Sequence, residues 1–372
     1  VHDPLPLAQA LIRCVSVTPA DGGAQAMLAF QLRNLGFEVT PLPFGATLNF
    51  FARIGAGSPH ICFAGHTDVV PPGEGWRHHP FGGVVEDDIL YGRGACDMKG
   101  AVAAFTAAAS RHLAEHPSPN HSVSLLITGD EEGPATDGTV RVLQWMAENR
   151  HLPDLCIVGE PTNPRFLGEM VKTGRRGSLN ACITVRGKQG HVAYPMRASN
   201  PLHRLIPALA QLTSARLDEG TAWFEPSSLQ LTTVDVGNTA ANVIPATARA
   251  RLNIRFNDLH TGESLSSWLR DCVSRHAPDA DISIQVSGEA FLTQPGPLVE
   301  RVCSVIERET GHAPKRDTAG GTSDARFIAR HAPVIEFGLV GASMHQVDEC
   351  VPVADLRALA GIYAAILKEL CG

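Results

Sequence analysis

His66 and Asp68 stand two residues apart in GHTDVVPPG (65–73), so in extended chain both side chains project from one face. An imidazole beside a carboxylate suits a metal ligand and the acidic partner that orients it. Farther along, LYGRGACDMKG (90–100) carries Asp97, ITGDEEGPATDGT (127–139) carries Glu131 and Glu132, and IVGEPT (157–162) carries Glu160. His345, in MHQVDE (344–349), adds a second imidazole. Brought into one crevice, the carboxylates of Asp68, Asp97, Glu131, Glu132 and Glu160 would repel one another strongly unless cations offset them. Imidazole nitrogen with carboxylate oxygen is a donor set for zinc. With Asp97 as a bridge, His66 and Glu160 complete one ion and Glu132 and His345 the other, each with a position open to a shared water. Such a pair would polarise a carbonyl and lower the pKa of bound water to about 7. Glu131 is left over and becomes the candidate general base and acid, a role that requires hydrogen-bond reach of that water. Taken singly, each residue also has an ordinary reading. Asp97 could cap a helix, Glu131 and Glu132 could form a solvated turn, and His345 could be satisfied by backbone.

The elements that must position these groups alternate between strand and helix. Apolar runs at 61–64, 122–128 and 154–159 read as buried strands, each delivering imidazole or acidic groups at its C-terminal end. That edge of an α/β sheet is where ligands bind. Further strands are expected at 36–40, 49–54 and 333–338, and helices at 4–13, 22–35, 99–116, 138–149, 297–310, 323–331 and 354–370. The texture changes near 177. Strands at 178–186, 228–236, 247–256 and 281–286, with helices at 201–216 and 262–276, give the order βαββαβ of a ferredoxin-like unit. The expected fold is therefore α/β: a catalytic domain with a mostly parallel central sheet flanked by helices (1–176 and 292–372), interrupted by an inserted domain (177–291).

At 372 residues the chain exceeds one ordinary domain of ~100–200 residues, and 44% hydrophobic content is enough for a sizeable core. A net charge of −7 without a basic stripe argues against nucleic acid, and no apolar run approaches a membrane span. Nine scattered cysteines without a C-x-x-C pair read as a reducing cytoplasm. Residues 1–14 lack the basic and apolar regions of a signal peptide. GRGACD (92–97) puts Asp at the third glycine position of the dinucleotide fingerprint, so a nucleotide-binding reading fails.

Together with KTGRRGS (172–178), GKQGHVAYP (187–195), NVIP (242–245) and GGTSDA (320–325), these motifs resemble the co-catalytic zinc amidohydrolases and carboxypeptidases, in the family's order and over almost the whole chain. The combination is most similar to members that remove succinyl groups from diamino acids. The resemblance implies hydrolysis of N-succinyl-L,L-2,6-diaminopimelate with two divalent ions, Zn2+ first and Co2+ as a substitute. It implies His66, Asp97, Glu132, Glu160 and His345 as ligands, Glu131 as acid and base, and Asp68 as a supporting catalytic residue. It further implies that the inserted domain forms a homodimer and that His191 reaches the partner's active site to stabilise the tetrahedral oxyanion. Arg175 and Arg255 match positions that hold substrate carboxylates, as planar guanidinium groups do. Ser178, Tyr194, Asn242 and the Gly320-Gly321-Thr322 loop match substrate-lining positions. Gly341 and Ala241 stand where some relatives in this family have Asn, near the expected acyl pocket. The nearest rival reading is an acetylornithine-type deacetylase with the same metal site. A catalytically silent binding protein is disfavoured because every ligand candidate and Glu131 are present.

Overall fold

Three runs with few polar residues set the first unit of the chain, which the computed structural model describes over residues 2–372. His60–His66, Ser122–Thr128 and Leu155–Val158 are buried along their whole length, as strands covered on both faces must be. They pair in parallel within an eight-stranded sheet, and Val334–Glu336 continues the parallel block. On one flank Phe50–Ile54 and Glu38–Pro41 run antiparallel. On the other, Met170–Lys172 and Lys315–Asp317 complete the sheet. Neither of these last two was expected from sequence, because strands of three residues carry no periodic signal.

The register explains how separate strands deliver groups to one place. His66 is paired with Thr128, and Ala64 with Val158. Two residues beyond each of Ala64 and Val158 stand His66 and Glu160, so the two come level. The Asp130-Glu131-Glu132 turn begins two residues past Thr128. The Lys99–Glu115 helix is rich in alanine, and its buried small side chains let it pack closely in the core. Phe105 from this helix stacks on Phe63 with ring centroids 4.3 Å apart, and Tyr363 of the Val353–Cys371 helix lies 4.4 Å from Phe105. The Tyr363 hydroxyl donates to the Phe337 carbonyl at 2.5 Å, so this buried polar tip is satisfied.

A small antiparallel sheet of Val84–Glu86, Ile89–Tyr91 and Cys350–Pro352 was not read from sequence either. It sets Cys350 opposite Tyr91 and so joins the 90–100 motif to the 344–349 motif. The helix expected at 323–331 is reduced to Ala325–Ile328. Ser323 spends its hydroxyl on Glu336, 2.6 Å away, in a bond that competes with continuing a helix. This first unit runs through Thr173 and resumes over Thr293–Asp317 and Ser323–Gly372.

The second unit comprises Gly174–Leu292 and Thr318–Thr322. Its strands run Ser228–Asp235, Thr247–Phe256, Gly177–Arg186 and Asp281–Gly288 across the sheet, every neighbour antiparallel. With the helices Leu202–Ser214 and Gly262–Ser274 this is a ferredoxin-like βαββαβ unit. Alternate residues of Thr247–Phe256 are buried, giving one covered face and one open face. Residues 318–322, expected with the catalytic segment, group here instead. The Thr318 hydroxyl donates to the Trp223 carbonyl at 2.6 Å, and Arg175 Nη1 donates to the Gly321 carbonyl at 3.1 Å. No helix among the described residues is long and apolar enough to cross a membrane.

His60 supplies a test of the fold. Buried at the start of a central strand, its Nδ1 donates to the Leu152 carbonyl at 3.3 Å and its Nε2 accepts from Ser124 Oγ at 2.7 Å. Burial, reinforced by the Arg53 guanidinium, pulls its pKa from 6.5 down to about 4. A depressed folded-state value means the unfolded chain binds the extra proton first. Stability from this group is therefore whole above pH 6.5 and is lost as pH falls towards 4. Denaturant titrations at neutral pH and near pH 4 should show a smaller acid loss in His60→Gln than in wild type, by about 2–3 kcal/mol. An equal loss in both would exclude His60 as a source.

Candidate metal centre

His66 closes its strand with the ring turned inward. Its Nδ1 lies 2.9 Å from the Asp68 main-chain carbonyl, which can only accept, so Nδ1 carries the hydrogen and Nε2 is presented to the crevice. The orienting group expected from sequence was the Asp68 carboxylate, but that oxygen is 3.6 Å from Nδ1. The Asp68 carboxylate braces the acidic turn instead. It accepts from Thr18 Oγ1 at 2.7 Å and from the backbone N–H groups of Glu132 at 3.1 Å and Glu131 at 3.4 Å. Asp130, buried next door, accepts from the N–H groups of Thr136 at 2.8 Å and Asp137 at 2.9 Å and so folds the rest of that loop.

Asp97 does not cap the helix that follows; Met98 occupies the N-cap, with no side-chain cap bond. Its two oxygens face two different imidazoles, Oδ1 3.2 Å from His66 Nε2 and Oδ2 3.1 Å from His345 Nε2. Glu132 Oε1 lies 2.9 Å from His345 Nε2, and Glu160 Oε1 3.8 Å from His66 Nε2. Ligand atoms thus gather within 4.8 Å as His66, Asp97 and Glu160, and as Asp97, Glu132 and His345. The two sets share Asp97. A further set, His66, Glu131 and Glu132, puts Glu131 at the same crevice. Gly159, immediately before Glu160, must lack a side chain. A Cβ there would lie 2.7 Å from Met98 Cε and Phe105 Cζ.

Burial alone would drive the His66 imidazole neutral, but Asp97, Asp68 and Glu131 hold its pKa well above the ordinary value. Bonds to Asp97 and Glu132 hold His345 up to about 10. Burial opposes ionisation of Asp97, yet the two imidazoles keep its pKa below the usual carboxylate range. Glu131 moves the other way: desolvation, then the charges of Asp324, Glu132 and Asp97, push it up to about 8. Burial also holds Glu160 well above its usual value. Its Oε1 is buried with no hydrogen-bond partner, a costly state for a carboxylate oxygen. Two inward imidazoles, three surrounding carboxylates and one orphaned oxygen fit a pair of divalent cations.

Residues of the second unit fall into two groups. Arg175 is buried, and its guanidinium donates to carbonyls of the 319–321 loop, so this loop faces Arg175 with carbonyls as well as carrying the expected Gly320-Gly321-Thr322 turn. Ser178 is paired across the strands with Arg255. The second group is exposed: His191 lies beside Tyr194 with ring centroids 5.8 Å apart, and Asn242 accepts through its carbonyl from the Val192 N–H at 3.1 Å.

Sequence reading passed over Thr18, Asp130 and Asp324. Asp324 joins His66, Glu131 and Glu160 around a small buried cavity, and its Oδ1 has no hydrogen-bond partner. Its place inside GGTSDA was the available signal, but the glycines drew the reading.

The model of peptidase family M20/M25/M40 matches residues 62–369. The chain belongs to this family. Among M20/M25/M40 relatives, a protein named succinyl-diaminopimelate desuccinylase from Acidiphilium cryptum is 63% identical over 368 residues, covering 99% of this chain and 98% of that protein. A protein of the same name from Gluconacetobacter diazotrophicus is 62% identical over 373 residues, with 99% and 97% covered. Among solved structures, the aminopeptidase PepT of Bacillus cereus superposes with a TM-score of 0.81 at 20% identity, covering 100% of this chain and 98% of that one. The Bacillus subtilis YXEP protein, described as a dinuclear metal-binding peptidase, gives 0.73 at 15% identity, with 100% and 99% covered.

Because Asp68 holds the Glu131-Glu132 backbone rather than the His66 ring, Asp68→Ala should loosen Glu132 and Glu131 together. Activity should fall about 10–100-fold, with the far-ultraviolet circular dichroism unchanged. Activity within twofold of wild type would remove Asp68 from the supporting shell.

Proposed function

We propose that this chain is a metal-dependent amide hydrolase that removes the succinyl group from N-succinyl-L,L-2,6-diaminopimelate, releasing succinate and L,L-2,6-diaminopimelate. The chemistry rests on one observation, the carboxylate of Asp97 shared between two ligand sets in one crevice. The substrate rests on the names of relatives that match nearly the whole chain at 62–63% identity.

In this reading His66, Asp97 and Glu160 hold one divalent ion, and Asp97, Glu132 and His345 the other, with Zn2+ the expected metal. Bound there, the ions supply Lewis acidity for the amide carbonyl and a water of lowered pKa. Glu131 accepts a proton from the attacking water and passes it to the leaving amine nitrogen. Desolvation raises its carboxyl above the ordinary carboxylate range, which makes the ionised form a stronger base, and it is reset by handing the proton on. Asp68 keeps that carboxyl in place through the turn backbone. Arg175 and Arg255 are the anchors for substrate carboxylates, with Ser178, Tyr194, Asn242 and the 320–322 loop lining the acyl and amino ends. We assign the second unit to homodimer formation, with His191 donating to the oxyanion in a partner copy. The open exposure of His191 and its neighbours, including Met196 at 95%, suits a segment that a second copy covers. Nine free cysteines suit a reducing cytoplasm.

The test is turnover of the succinylated diaminopimelate against N-acetylornithine by wild type and Glu131→Gln, each loaded with Zn2+. Wild type should favour the succinylated substrate, and the variant should keep its metal while kcat falls by about 10²–10⁴. Chelation should abolish wild-type turnover, and added Zn2+ should restore it. Equal or reversed substrate preference would replace the desuccinylase reading with the deacetylase one, and unchanged kcat in the variant would take Glu131 out of the mechanism.

A further inference from the structure

Glu349 closes the MHQVDE motif and has no surface exposure, and its partner Arg93 is 1% exposed. A buried ion pair contributes little net stability once desolvation is counted, so the pair's other contacts are the informative ones. Glu349 Oε2 accepts from Arg93 Nη1 at 2.7 Å and from the Gly94 N–H at 3.0 Å. Its Oε1 accepts from the N–H groups of Cys96 at 2.9 Å and Asp97 at 3.1 Å, and from Cys96 Sγ at 3.3 Å. The loop leading to Asp97 is therefore wound around one carboxylate, in the way that backbone N–H groups form an anion nest. Gly94 makes that winding possible with φ +87°, a conformation that side chains rarely tolerate. Arg93 faces the other way. Its Nη2 donates to the carbonyls of Pro72 at 3.2 Å, Pro71 at 3.4 Å and His345 at 3.4 Å. The short strand pairing of Cys350 with Tyr91, and the Gly92 N–H on the Glu349 carbonyl at 2.9 Å, lock the two motifs in register.

These bonds are not spread evenly over the metal centre. Two of them reach ligand residues: one comes from the N–H of Asp97, which both sets share, and one ends on the carbonyl of His345, which belongs to the Asp97–Glu132–His345 set alone. His66 and Glu160, the unshared members of the other set, receive none of the side-chain bonds of either Glu349 or Arg93. We infer that Glu349, with Arg93, is a positioning residue that fixes Asp97 and His345 and so weighs more on retention of the ion of the Asp97–Glu132–His345 set than on the ion held by His66, Asp97 and Glu160. This inference rests on the two-ion reading above.

The experiment is calorimetric titration of chelator-stripped protein with Zn2+ alone, for wild type, Glu349→Gln and Arg93→Lys, alongside thermal melts and circular dichroism. Glutamine keeps the volume but turns an N–H group towards the loop's donors. Lysine keeps the charge but loses the fork that reaches both Glu349 and the His345 carbonyl. Wild type should take two ions. Each variant should bind the ion of the Asp97–Glu132–His345 set about 10–100-fold more weakly and the other ion, which shares only Asp97, within about threefold of wild type. Two ions at wild-type affinity, or equal weakening of both, would overturn the inference. A wild type that takes a single ion would overturn the two-ion reading itself and this inference with it. Should Glu349→Gln fail to fold, Arg93→Lys decides by the same criteria.

Discussion

Mutual repulsion among buried carboxylates is the constraint around which this molecule is arranged. Parallel strands in register bring Glu131, Glu132 and Glu160 to one edge of a sheet, and the loop after Ile89–Tyr91 brings Asp97 to them, where low polarity magnifies every like-charge contact. Within the protein itself, positive charge facing these carboxylates comes from the imidazoles of His66 and His345, whose pKa values they hold above the ordinary range. Even so, one Glu160 oxygen stays buried without a donor. A site like this is incomplete as protein alone. Compact cations of double charge satisfy it with far less volume than further lysines or arginines would need.

The strands bring these groups near one another, but loops set their final positions, and loops need their own internal scaffolding. Two acidic residues that bind no substrate in our reading do this work. Asp68 gathers the N–H groups of the Glu131-Glu132 turn, and Glu349 gathers those of the loop before Asp97. Backbone N–H groups meet each charge, helped by the Thr18 hydroxyl at Asp68 and by the buried Arg93 guanidinium at Glu349. The same device thus appears twice around one crevice.

The α/β class and the ferredoxin-like unit were legible because their strands are long and their burial pattern is plain: continuous in His60–His66 and Ser122–Thr128, alternating in Thr247–Phe256. Acidic and imidazole groups at strand ends were legible for the same reason, since an apolar run points to where its C-terminal residue must go. What escaped was short or depended on backbone. Met170–Lys172, Lys315–Asp317 and the sheet through Ile89–Tyr91 are too brief to show a period. The partner of His66 Nδ1 is a carbonyl, which every residue carries and no motif can announce. The 318–322 loop joined the second unit through bonds from Arg175 and Thr318, contacts spanning about as much chain as the insertion itself and invisible to local reading.

The shared carboxylate also divides the centre along the chain. His66, Asp97 and Glu160 all lie in the first 160 residues, whereas the other ion's set is complete only with His345. The first set closes a chain loop of 94 residues (66 to 160) and the second one of 248 (97 to 345), and each doubling of a loop costs the unfolded chain about 0.6 kcal/mol more to close. A cation held by the second set therefore cross-links the longer stretch of chain.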